Sequence, residues 1–103
     1  MAKTIPQWIE MCHTNARRKG FWDSERNVGE MLMLIVSELG EAVEAHRAHQ
    51  HGLEMKDSFE DELADTAIRL FDLCGGLNID LEKQLEWKMA YNKTRAVKHG
   101  KAY

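Results

Sequence analysis

The chain has 103 residues, 44% of them apolar and 30% charged, with a formal net charge of −3. That is one domain's worth of chain, and the composition excludes both a disordered polymer and a membrane protein. The acidic balance excludes a general nucleic-acid binder. The longest apolar run, residues 31–36, falls far short of the ~20 residues that span a bilayer. The N-terminus has no apolar h-region, so no signal peptide is expected. Cys12 and Cys74 lack metal-type spacing and read as reduced core thiols of a cytoplasmic protein.

The apolar periodicity is helical throughout, and no strand pattern stands out. The first helix begins at Thr4, which forms a capping box with Gln7 and tolerates Pro6 in its first turn. Its stripe is Ile5, Trp8, Ile9, Cys12 and Ala16, and Gly20 stops it. Phe21 and Trp22 follow in a loop. Asp23 or Ser24 is then expected to cap a second helix with no breaker before Gly52, about 25 residues and roughly 37 Å long. Such a rod is long for this chain and predicts packing against another subunit. Residues 31–36 are apolar all round, which fits a helix buried on several sides. Ser58 and Asp61 read as the capping box of a third helix running to Gly75-Gly76. Asn78 or Asp80 caps a fourth, carrying Leu81, Leu85, Trp87, Met89 and Tyr91. With no linker or repeat, residues 1–103 read as a single all-α, four-helix bundle-like domain.

The second helix reads Glu38-Leu-Gly-Glu41 and the third Glu62-Leu-Ala-Asp65. Carboxylates three apart project from one helix face, one turn from each other. Two such pairs face to face resist ionising together unless a cation joins them, and hard oxygen donors of this kind suit Mg²⁺. The two halves differ in weight. Glu38 shares its face with Met31, Leu34, Ile35, Ala42 and Ala45, and a buried carboxylate without a partner is costly. Glu41 lies nearer a polar edge. Around Asp65 stand Asp61, Glu62, Arg69 and Asp72, a stripe that also fits a solvated face with an Asp65–Arg69 ion pair.

The pattern E-x-x-E, a gap over residues 42–61, then E-x-x-D resembles the MazG-like branch of the all-α NTP pyrophosphatase superfamily. Residues 37–45 and 61–69 carry that family's phrasing, as does the run 88–95 followed by 98–101. The resemblance covers residues 25–101. It implies hydrolysis of nucleoside triphosphates to the monophosphate and pyrophosphate by an intertwined homodimer or homotetramer. It makes Glu38, Glu41, Glu62 and Asp65 the ligands of one to three Mg²⁺ ions, with Mn²⁺ as a substitute. Glu38 or Glu41 would be the catalytic acceptor of the water's proton. It gives phosphate and nucleotide contacts to Lys88, Asn92 and Arg95, often across a subunit boundary. Neither a nucleic-acid polymer nor a membrane is an implied partner. Ser37 and Asp61 depart from the pattern, each standing where many members carry glutamate.

Two rivals compete. A di-iron bundle needs Glu-x-x-His on two helices, and Glu10-Met-Cys-His13 supplies one. A non-enzymatic helical module would dimerise through the second helix but give Glu38 no purpose. His46, His49 and His51 read as exposed residues at a helix end. Without the resemblance, Lys88, Asn92 and Arg95 would read as a solvated helix end near its negative dipole.

Overall fold

Four side-chain oxygens start the four helices. Thr4, Asn27, Ser58 and Asp80 each accept a hydrogen bond from the backbone N–H three residues on, which satisfies one of the orphan amides of the first turn. The helices they open are α1 (Ile5–Arg18), α2 (Val28–Arg47), α3 (Phe59–Gly76) and α4 (Leu81–Lys93) in the computed structural model, which describes residues 2–95. Among the described residues there is no strand, and no helix is long and apolar enough to cross a membrane.

Two expectations about helix ends change. α2 is capped by Asn27, not by Asp23 or Ser24, and ends at Arg47, so it has 20 residues instead of about 25. Asp23 instead donates its N–H to Gly20 O, and Gly20 takes a positive φ of 87° where α1 stops. The turn after α1 therefore extends further than the composition shows. The Ser58–Asp61 box is half formed. Ser58 N–H is given to Met55 O, and the Asp61 carboxylate accepts from Asp57 N–H at 2.8 Å. α3 runs to Gly75 and Gly76 as expected, and the chain reverses at Asn78, whose φ is 56°.

α3 is the central helix, packed against α2 on one side and α1 on the other. Small residues make this possible: Cys12 and Ala16 of α1 and Ala42 and Ala45 of α2 are buried, with Met31, Leu73 and Cys74 completing a lean core. α4 touches the end of α1 and has no buried residue. Residues 31–36 are not buried on several sides within one chain. Met31 is covered and Leu34 and Ile35 are half-buried, but Leu32, Met33 and Val36 are exposed, Met33 by 63%. One neighbouring helix covers one face only.

The two cysteines are free and buried, as the sequence predicts. Between them lies a polar knot. Asp72, buried, accepts hydrogen bonds from Trp22 Nε1 at 2.8 Å and His13 Nδ1 at 2.9 Å, and Arg26 stands 3.7 Å from its other oxygen. The glycine pair makes room for this knot. A Cβ on Gly76 would overlap the indole of Trp22, and one on Gly75 would sit 2.6 Å from His13 Cβ. Asp72 thus ties the loop after α1, and α1 itself, onto α3.

Candidate metal centre

The α2–α3 contact brings the two acidic motifs together. Carboxylate oxygens of Glu38, Glu41 and Glu62 lie within 4.8 Å of one another. Two oxygens of this trio, Glu38 Oε2 and Glu62 Oε2, are buried and have no hydrogen-bond partner. Buried polar atoms are ordinarily satisfied, so two orphans in one acidic trio make it a candidate cation site. Three hard oxygen donors and no nitrogen or sulfur match Mg²⁺, Mn²⁺ or Ca²⁺ chemistry. Ligand oxygens around an octahedral Mg²⁺ stand roughly 3.0–4.2 Å apart, given bonds of about 2.1 Å.

Electrostatics agree. Burial raises the Glu62 carboxyl to about 7, helped by hydrogen bonding and repulsion from Glu41 and then by Glu38 and Asp65. Asp65, half-buried on the next turn, is also raised, first by burial and then by Glu38 and Asp61, with Arg69 pulling the other way. It stands beside the trio as the fourth acid. A cation among these groups would offset the repulsion between the carboxylates and favour their charged forms.

The order of importance differs from the sequence reading. Glu62, which the sequence placed on a stripe that could be wet, is the most buried of the four at 5% exposure. α3 is covered by two helices, so its polar stripe is buried at Glu62 and Asp72, half-buried at Asp61 and Asp65, and open only at Arg69. Arg69 does not pair with Asp65. Its Nε donates to Glu38 Oε1 at 2.9 Å, crossing from α3 to α2. Glu41 is the exposed member. A second acidic group, Asp57, Asp61 and Glu62, is also close, but Asp61 is already engaged by the Asp57 amide.

Beside Glu38 and Asp65 opens a cavity of ≈ 430 Å³ between the first three helices, within the size range of small-molecule sites. Asn15, Lys19, Phe21, Arg26, Leu34 and Arg69 are among its walls. No local pattern in the chain signals it, since its walls come from three helices and a turn.

Lys88, Asn92 and Arg95 are not brought to the acids within one chain. They are exposed on or just beyond α4, which packs on neither α2 nor α3 to any extent comparable with α1. There Trp87 and Tyr91 stack at 5.4 Å, with Lys88 and Arg95 over the Tyr91 ring. Lys98 and Lys101 lie outside the described residues. His13, the histidine of the di-iron alternative, is held by Asp72 and takes no part in the acidic cluster. His46 and His51 pack with Phe59 and join no metal-type group among the described residues.

Comparison of the chain with protein-family models, with curated proteins and with solved structures finds no match.

Proposed function

We propose that this protein is a Mg²⁺-dependent nucleoside triphosphate pyrophosphatase of the MazG-like kind, hydrolysing (d)NTP to (d)NMP and pyrophosphate. The observation that carries the reading is the buried Glu62 carboxylate close to Glu38 and Glu41, with one unpartnered buried oxygen on Glu62 and one on Glu38. Glu38, Glu41, Glu62 and Asp65 would hold the ion, and Mn²⁺ would substitute. When bound, the metal supplies charge neutralisation on the triphosphate and a more acidic water. Glu41, the exposed acid of the set, would accept the proton of the attacking water, and Glu38, hydrogen-bonded by Arg69, would be a fixed ligand. The adjoining cavity receives the nucleoside, with Phe21 and Leu34 as apolar walls and Asn15 as an amide for a base edge.

Incubation with a panel of dNTPs and NTPs plus Mg²⁺ tests this. Monophosphate with pyrophosphate is expected; diphosphate with orthophosphate would contradict attack at the α-phosphorus. Glu38→Gln should fold and lose more than about 100-fold in activity, beyond what outer-shell partners of a metal cost. A fully active variant would remove Glu38 from the site.

The active form is proposed to be a homodimer or homotetramer. Exposed Leu32, Met33, Val36 and Val43 on α2, and Leu85, Trp87 and Met89 on α4, are large apolar side chains that a second copy could cover. A second copy covering α2 would also offer a route for Lys88 and Arg95 to reach the acids. Sedimentation equilibrium at micromolar concentration should show a dimer or larger; a monomer there leaves these side chains with no part in the site.

A further inference from the structure

The cation nearest the acids is not one that the sequence motifs single out. Arg69 reaches from α3 to α2 and touches Glu38 through Nε alone. The contact is single-pronged, because Glu38 Oε2 has no partner. A guanidinium has five donors in a planar fork, and one of them is spent here. Among the described residues Arg69 makes no other hydrogen bond or ion pair. Its side chain is 42% exposed, while that of Glu38 is 12% exposed, and both line the ≈ 430 Å³ cavity. Were Arg69 only a counter-ion for Glu38, the two-pronged pairing that best neutralises a carboxylate would be expected. The observed geometry instead orients one ligand and leaves the terminal amino groups unused at the cavity wall.

We propose that Arg69 is the in-chain phosphate anchor of this site: Nε fixes Glu38 while the terminal amino groups bind oxygens of the triphosphate. The inference rests on the pyrophosphatase reading and adds to it a residue that acts within one chain. The fork matches a phosphate's oxygen pair, and a lysine supplies only a point charge. Lys19, on the same cavity wall, adds to the positive field, while Arg26 there stands 3.7 Å from Asp72.

The test separates anchoring from neutralisation. Mn²⁺ alone is titrated and followed by electron paramagnetic resonance. Tripolyphosphate, which has no base or sugar, is then titrated calorimetrically at saturating Mn²⁺. Arg69→Lys should weaken tripolyphosphate binding about tenfold and Arg69→Gln about 10- to 100-fold, as expected for lost charge-assisted hydrogen bonds. Mn²⁺ alone should bind both variants at least as well as it binds the unaltered protein. Unchanged tripolyphosphate affinity in both variants, with tighter Mn²⁺, would overturn the anchor and leave Arg69 as a counter-ion, with the pyrophosphatase reading intact. An unaltered protein that holds Mn²⁺ but no tripolyphosphate would overturn both. Arg69→Lys keeps the charge on a half-exposed position, so it is the variant least able to fail by misfolding, and circular dichroism checks it.

Discussion

Glu62→Gln is expected to raise the thermal midpoint of the metal-free protein and to erase its stabilisation by Mg²⁺. Both effects follow from the same misfit. The carboxylate is buried against Glu38 and Glu41, one of its oxygens has no partner, and its charged form is disfavoured up to about pH 7. Glutamine keeps the shape and removes the charge. In the unaltered protein, the folded state holds this proton up to about pH 7, whereas an unfolded glutamate releases it near 4.5. Between those values the folded chain binds more protons than the unfolded one. Glu62's contribution to stability is therefore full below about pH 4.5 and falls as pH rises to about 7. Mg²⁺ competes with the same proton, so its affinity should rise through this window and level off above it. At a concentration of about 100 Kd, a ligand stabilises a fold by roughly 2.7 kcal/mol, which shifts the midpoint of a domain this size by more than about 10 °C. Thermal melts across this pH range, with and without Mg²⁺, measure all three effects. A Mg²⁺ shift that survives in Glu62→Gln, or one that ignores pH, would show that the ion is not held there.

The second large effect lies away from the acids. Gly76→Ala is expected to destabilise the protein by about 1–3 kcal/mol, the range for overpacking a filled site. Helix propensity alone predicts the opposite sign, because alanine in a helix interior is favoured over glycine by about 1 kcal/mol. The added Cβ, however, would occupy the space of the Trp22 indole. Moving the ring breaks its hydrogen bond to Asp72 and loosens a buried carboxylate that also holds His13. Losing a hydrogen bond to a charged group costs about 1.5–3 kcal/mol, which exceeds the propensity gain. Urea unfolding reads the difference, and a more stable Gly76→Ala would mean that Trp22 has no fixed seat. Phe21 and Arg26 flank Trp22 and line the cavity, so loosening the knot should also weaken nucleotide binding.

Much of the molecule was legible in the residues. The helical period gives the all-α class, and three of the four caps, Thr4, Ser58 and Asp80, stand where local chemistry puts them. The fourth was misplaced because Asp23, Ser24 and Asn27 are all competent caps, and only the turn after Gly20 selects among them. Gly75-Gly76 closes α3, as glycine commonly does at a helix end. The pair also makes space, a second role that resides in His13 and Trp22, more than 50 residues earlier in the chain. The acids divide in the same way. That Glu38 with Glu41, and Glu62 with Asp65, share a helix face follows from their spacing. That Glu62 is the most deeply buried, and that Arg69 serves Glu38 instead of Asp65, does not.

What the sequence determined by itself is therefore local: four helices, the faces on which charges align, and two cysteines placed on core stripes. What tertiary structure decided is which of those faces is covered. A helix with one neighbour buries one stripe, as α2 does, and leaves Met33 and Val36 open. A helix with two neighbours buries polar residues along with apolar ones, as α3 does with Glu62 and Asp72. Periodicity names the residues on a stripe, but the dielectric around them is set by the other helices.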